Sequence, residues 1–506
     1  MKPPNRLLPN DAYDAELLAS ARPPGWKNPT PAPRYNLVVI GGGTAGLVTA
    51  VGAAGLGAKV ALIEKSLMGG DCLNFGCVPS KALLRSARFY ADLGEAPPFI
   101  GRELAPVEAD FAAALTRMRR LRARIGRHDS AERLRGLGVD VFLGEGRFAD
   151  RRSVEVEGAR LEFQKAVVAT GSRAATPSIE GIEEAGYLTN ETVFDLTARP
   201  RRLLVIGGGP LGCELAQAFA RLGCEVTIAS QERYFLPGEE RDAAEILADA
   251  LRRDGIDVRL NTAVASVAKE GGEKRARLIN YDQDETIAVD EILTGVGRAP
   301  NVEGLNLEAA GVRYDATNGV SVDDFLRTTN RRVYAAGDVA LDRKYTHMAD
   351  ATARIVIQNA LFLGRLRLSS LVVPWCTYTD PEIAHVGVYV EEARERGFPM
   401  KTFTVPMSEV DRAVLDGEEE GFVKIHVREG TDVILGATIV ARHAGEMINE
   451  VSLAMVAGLG LRTLSRVIHS YPTQAEAIRK AGDAHGRTRL TPFWRALSRR
   501  WLAWSR

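Results

Sequence analysis

Cys72 and Cys77, five positions apart in GGDCLNFGCVPSKAL, are the residues of this chain best suited to two-electron chemistry. A thiol pair at that spacing can cycle between dithiol and disulfide, provided one sulfur ionises readily. Pro79 marks a helix start beside Cys77, and a helix N-terminus lowers the pKa of a thiol placed on it. Two merely buried cysteines would not be wrapped in glycine, asparagine and Lys81. Cys213 and Cys224, within a later helical segment, read as ordinary core residues.

Gly41, Gly43 and Gly46 form a second candidate site, with GxGxxG spacing. The first glycine allows the turn, the second lets a pyrophosphate approach the backbone, and the third lets helix and strand pack closely. Glu64, at the end of the next strand, stands where a ribose 2′-hydroxyl is bound. Gly207, Gly209 and Gly212 repeat the spacing, but their strand ends in Ser230, followed by Gln231, Glu232 and Arg233. Without an acid there, Ser230 and Arg233 favour a 2′-phosphate, and hence NADPH over NADH.

Each turn must be held between a strand and a helix. YNLVVI from Tyr35, GGGTAG, LVTAVGAAGLGA and KVALIE give one βαβ unit; RRLLVI, GGGPLG, CELAQAFARLGC and EVTIAS give another. A duplicated Rossmann architecture follows. Tyr35 to Ala58 carries no charge and approaches a membrane span in length, but glycines at 41, 42, 43, 46, 52, 55 and 57 fit strand, turn and helix better. Residues 1–34 are Pro-rich and aperiodic, which predicts an arm lying on the surface or mobile. Phe111 to Leu137 predicts a helix with Leu115, Met118, Leu121 and Ile125 on its apolar stripe and a solvated ring of arginines. Beyond residue 368, strands (GFVKIHV, VILGATIVA) and then helices (INEVSLAMVAGL) indicate a third, α+β domain.

Composition sets the outer bounds. A chain of 506 residues holds about three domains. Lys+Arg 65 against Asp+Glu 65 provides no basic field for nucleic acid. Five cysteines are too few for a secreted disulfide framework, and MKPPNRLLPNDAYDAELL has no apolar run of signal-peptide length. Cytoplasm is the expected compartment.

GGDCLNFGCVPSK resembles the redox-disulfide motif of the class I pyridine nucleotide-disulfide oxidoreductases, the family of glutathione reductase, dihydrolipoamide dehydrogenase and mercuric reductase. ATGSRAATP, with Thr170 and Gly171, GVGRAPN, with Gly297, and YAAGDVA, with Asp338, resemble further segments of it. The likeness runs from Tyr35 to about Lys480. It implies an α/β protein: an N-terminal extension (1–34), an FAD-binding domain (35–178, completed by 307–367), an NAD(P)H-binding domain (179–306) and an interface domain (368–489) that makes a homodimer. It also implies roles: Cys77 as the flavin-proximal thiol, Cys72 as the interchange thiol, Lys81 beside the flavin with Glu214 as its partner, and Asp338 on the FAD ribityl chain. The resemblance is closest to mercuric reductase-like and dihydrolipoamide dehydrogenase-like flavoproteins.

One motif departs from the family. Its general acid is a histidine before Pro-Thr, with a glutamate five positions on; here HSYPTQAE puts Tyr471 in that place, keeping Pro472, Thr473 and Glu476. An unperturbed tyrosine titrates about three to four units above histidine, a poor match to a leaving thiolate. His469, two residues upstream, reads as a packing or hydrogen-bonding residue. Tyrosine at this position resembles mercuric reductase, and a soft metal ion such as Hg(II) suits Cys72 and Cys77 as ligands. The GMTCxxC module and the C-terminal cysteine pair of that enzyme are missing from this sequence, whose last cysteine, Cys376 in PWCTYTDPE, reads as core. Two other readings stay open: a disulfide or dihydrolipoamide-type reductase, and a redox sensor or electron donor to a protein. Residues 490–506 predict a basic amphipathic helix, Phe493, Leu497, Trp501 and Trp504 on one stripe, fit for an anionic membrane surface or a dimer face.

Overall fold

A computed structural model describes residues 7–101, 107–281 and 283–506. They form two compact units, one of residues up to 231 with 261–371, the other of 232–260 with 372–506.

The first unit is built on two sheets, a larger one with a parallel core and antiparallel strands at one edge, and a smaller parallel one. Strand β1 (Tyr35–Ile40) runs into the Gly41 turn and helix α2 (Thr44–Gly55), and strand β2 (Val60–Glu64) returns beside it. β1 lies between β2 and the strand Ala159–Val168, with Val139–Leu143 outside β2 and Val333–Ala335 on Ala159–Val168. Leu37, Val38 and Val39 are fully buried, as expected of parallel strands covered on both faces. In the second sheet Arg202–Ile206 pairs in parallel with Glu225–Ala229 and with Glu291–Thr294. A short helix, α3 (Gly70–Asn74), and a long one, α4 (Cys77–Gly94), follow β2 and carry the thiols.

Two expectations are corrected in this unit. Residues 12–21 are no loose arm: helix α1 (Ala12–Ala21) starts at a capping box of Asp11 and Asp14, and buries Asp14, Leu17 and Ala21. The Arg-studded stretch is not one solvated helix. It splits at Ser130 into Phe111–Gly126 and Ala131–Gly136, and Arg119 and Arg122 are buried where they meet Asp11 and Asp14. An arginine ring looks solvated until a second helix supplies carboxylates; Ile125, assigned to the apolar stripe, is exposed instead.

The second unit holds a five-stranded antiparallel sheet in the order Pro374–Thr377, Glu382–Gly387, Ile434–Ala441, Phe422–Arg428, Met400–Pro406. Helices Ala444–Val456 and Glu476–Thr488 cover its core, where Cys376 packs half-buried. Residues 492–504 form a helix with no buried residue. Among the described residues no helix is long and apolar enough to cross a membrane.

Candidate active site

The turn after β1 is shaped by contacts that exclude side chains. Gly41 has φ +113°, and a Cβ there would lie 2.2 Å from the Ala169 carbonyl oxygen; a Cβ on Gly46 would lie 1.7 Å from that of Gly41. Gly43 is the N-cap of α2, so the free N–H groups of that helix open onto the turn. Glu64 is buried, accepting from Gly42 N at 2.5 Å and Ser66 N at 2.6 Å. Burial pushes its pKa up, against those two bonds. A backbone-lined cradle at a helix N-terminus, with a carboxylate at the neighbouring strand end, fits the pyrophosphate and ribose of FAD.

The thiol pair sits one element further on. Cys72 lies within α3 and Cys77 opens α4, so Cys77 meets the positive end of an 18-residue helix. A hydrogen bond from Cys72, another with Thr346 at 3.3 Å and the Lys81 charge bring Cys77 down to about 6, while burial opposes them. The same bond, with burial, drives Cys72 up. The proton therefore rests on Cys72 and the negative charge on Cys77. One turn along α4, Lys81 Nζ is 2.6 Å from Glu214 Oε2, and the glutamate is almost wholly buried.

The ribityl-site candidate belongs to a network that the motifs did not reveal. Asp338 accepts from Ser172 Oγ at 2.7 Å; Arg298 donates to Ser172 Oγ at 2.8 Å and pairs with Asp71 at 3.0 Å, next to Cys72. Asn190 donates to Asp71 at 2.8 Å. Burial raises the Asp338 pKa. Thr170 and Gly171 stand beside this network: Thr170 donates to the Asn301 carbonyl at 2.7 Å, and Gly171 O accepts from Asn301 N at 3.0 Å. Ser172–Ala174 and Arg298–Pro300, the latter following Gly297, pair as an antiparallel ribbon. Arg298, Ser172 and Asp71 lay inside the quoted motifs without a role being read for them; Asn190 and Thr346 lay outside the motifs and carried no signal.

At the second turn Gly209 caps the helix Pro210–Arg221, and a Cβ on Gly212 would lie 2.4 Å from Gly207 O. Ser230 is buried at its strand end, and the Cβ position of Gly208 is 3.4 Å from the Ser230 hydroxyl oxygen. These residues suit a second dinucleotide. Arg233 belongs to the other unit, exposed, with its guanidinium over the Tyr234 ring. Cys213 is buried, and Cys224 lies just past this helix rather than within it.

In the second unit the residues of HSYPTQAE do not form one group. Tyr471 is exposed and donates to Asp411 at 2.8 Å, which raises its pKa. Glu476 opens a helix and is held by Arg479 at 2.5 Å. His469 instead pairs with Glu450, 3.1 Å from Nε2, with its Nδ1 on Val467 O. The histidine–carboxylate pair of this segment is thus His469–Glu450, two residues from the motif position.

Comparison with known proteins places the chain in a family. Residues 35–354 match the pyridine nucleotide-disulphide oxidoreductase model, and residues 373–482 the dimerisation domain of the same enzymes. The chain is 35% identical over 447 residues to a mercuric reductase of Lysinibacillus sphaericus, covering 88% of this chain and 82% of that protein. It is 36% identical over 462 residues to a dihydrolipoyl dehydrogenase of Thermus scotoductus, covering 89% and 97%. The HOCl-induced flavoprotein disulfide reductase RclA of Escherichia coli superposes with a TM-score of 0.80 at 30% identity, over 89% of this chain and 99% of that one.

Proposed function

Because the chain belongs to the pyridine nucleotide-disulphide oxidoreductase family and is an FAD-dependent enzyme of that kind, we propose that it passes two electrons from NADPH through Cys72 and Cys77 to Hg(II) or another thiophilic substrate. The observation that carries this reading is the thiol pair itself, Cys72 in α3 beside Cys77 at the positive end of α4, with a tyrosine where a histidine acid would stand. Gly41, Gly43, Gly46, Glu64, Thr170, Gly171 and Asp338 hold FAD, which when bound supplies the two-electron redox chemistry between a nicotinamide and the thiols. Gly207, Gly209, Gly212, Gly297 and Ser230 receive the nicotinamide nucleotide, the missing acid at Ser230 favouring the 2′-phosphate.

Lys81, oriented by Glu214, keeps a cation near Cys77 and favours its thiolate. Cys72 loses its proton as the soft ion binds, and the two thiolates then hold Hg(II). The metal accepts an electron pair originating in NADPH and leaves as Hg(0); Cys77 returns as the thiolate and Cys72 regains from solvent the proton it released. No proton has to be delivered to a leaving group of the substrate, so Tyr471 is no handicap. A dithiol product would need that proton; the His469–Glu450 pair favours the second reading, a disulfide reductase. Two copies assembling through residues 373–482 make the working enzyme. In the 490–506 segment, Phe493, Trp494, Leu497, Trp501 and Trp504 cover one side of an exposed helix and Arg495 and Arg499 the other, and this face contacts anionic membrane surfaces. Binding to phosphatidylglycerol vesicles that survives deletion of 490–506 removes that contact.

The test is anaerobic NADPH oxidation by the FAD-loaded protein with Hg(II) and excess small thiol, beside a panel of disulfides and Cys77→Ser. Turnover with Hg(II), absent in Cys77→Ser, supports the metal reading. Fast disulfide turnover that His469→Gln abolishes favours the second.

A further inference from the structure

The N-terminal helix reaches the redox loop through one buried arginine. Arg122, on the Phe111–Gly126 helix, is 2.9 Å from Asp14 of α1, and neither side chain exceeds 1% exposure. Its Nη1 donates at 3.0 Å to the carbonyl of Asn74, which lies between Cys72 and Cys77. Asn74 is fully buried, and its side-chain amide donates to Met68 O and Gly70 O at 3.1 and 2.8 Å. The far end of α1 closes the same loop, for Met68 N donates to Ala21 O at 3.0 Å and Arg22 donates to the Lys65 and Ser66 carbonyls. Gly69 N in turn donates to Gly42 O in the glycine turn.

We propose that Arg122 is a positioning residue for the Cys72–Cys77 pair, and that α1 supplies the carboxylate that allows a guanidinium to be buried there. The physical reason lies in the chain between the sulfurs. Cys72 closes on Cys77 only if the last turn of α3 holds its place against the start of α4, and the single carbonyl that Arg122 grips is that turn's end. A buried guanidinium can serve as such a clamp only if its charge is answered, and Asp14 answers it. The ion pair Arg119–Asp11, at 2.6 Å, joins the same two helices without touching the loop, and so separates clamping from helix docking.

This proposal rests on Cys72 and Cys77 being the redox pair, and its test reads thiol chemistry rather than substrate turnover. The FAD-loaded wild type, Arg122→Met, Arg122→Lys, Asp14→Asn and Arg119→Met are equilibrated with dithiothreitol buffers, and the Cys72–Cys77 disulfide is counted by mass spectrometry after alkylation. Two electrons and two protons pass from dithiothreitol to the disulfide, so each midpoint reports an equilibrium constant. Arg122→Met and Asp14→Asn should change that constant roughly three- to tenfold, with Arg122→Lys between them and wild type and Arg119→Met close to wild type. Wild-type and variant flavin absorbance confirms that each retains FAD. Equal shifts for Arg119→Met and Arg122→Met, or none for either with FAD retained, overturn the proposal. Absence of any Cys72–Cys77 disulfide in the wild type instead defeats the functional reading beneath it. Should Asp14→Asn fail to fold, the Arg122→Lys and Arg119→Met pair still decides.

Discussion

At the first glycine turn, Gly41 has φ +113° and the third glycine presses on its carbonyl; at the second, Gly207 has φ +104° and Gly212 does the same. The strand ends differ: Glu64 folds its carboxylate back onto Gly42 N, whereas the buried Ser230 leaves no acid beside Gly208. The cysteines nearby differ too. Cys77 is held down to about 6 by a partner thiol, a hydroxyl and a lysine, while Cys213, in the helix after the second turn, is driven well above its ordinary range by burial. Glycine spacing sets a cradle for phosphate; the strand-end residue and the neighbouring elements decide what that cradle is for.

Substitution of the third glycines tests the shared half of this comparison and should have the largest effects. Gly46→Ala must move α2 or the turn, and is expected to lose FAD on purification and about 1–3 kcal/mol of stability in urea unfolding. Gly212→Ala should keep the yellow flavin yet lose reduction by NADPH. Identical phenotypes would mean that the two turns do not serve two nucleotides. Next come the cysteines: in the reduced protein, iodoacetamide should label Cys77 with a midpoint near pH 6 and leave Cys213 untouched, a contrast above about a hundredfold. The sign follows from a folded pKa lying below its ordinary value near 9: thiolate is present above the midpoint and lost as pH falls through about 6.

The strand ends should give smaller effects. Ser230→Glu is expected to shift preference about tenfold toward NADH, measured as the ratio of kcat/KM values; an unchanged ratio removes Ser230 from nucleotide selection. Glu64→Gln, which weakens acceptance from two backbone N–H groups, should cost about 1 kcal/mol in FAD affinity by isothermal titration of the apoprotein.

The cradles and the thiol pair were legible because their chemistry depends on neighbours in sequence. The third glycine answers a clash with the carbonyl of the first inside the same turn, the first supplies the positive φ that the turn needs, and Cys77 meets a helix that begins at its own residue. What stayed hidden depends on partners far along the chain. Arg122 read as a solvated arginine because nothing within its helix shows that Asp14, 108 positions earlier, will meet it. Asp71 looked like filler in GGDC until Arg298 and Asn190 were brought to it from two other segments.

The acid motif shows the same division. Tyr471, Pro472, Thr473 and Glu476 kept the family's spacing, yet Asp411 takes the tyrosine hydroxyl, Arg479 takes the glutamate and Glu450 takes His469. Sequence alone determined the duplicated α/β grammar, the glycine turns and the two sulfurs, since backbone sterics and hydrophobic period act over a few residues. Only tertiary structure decided which charges are answered, because a carboxylate finds its partner by distance in space; that pairing fixed α1 against the redox loop, His469 against Glu450 and Tyr471 against Asp411.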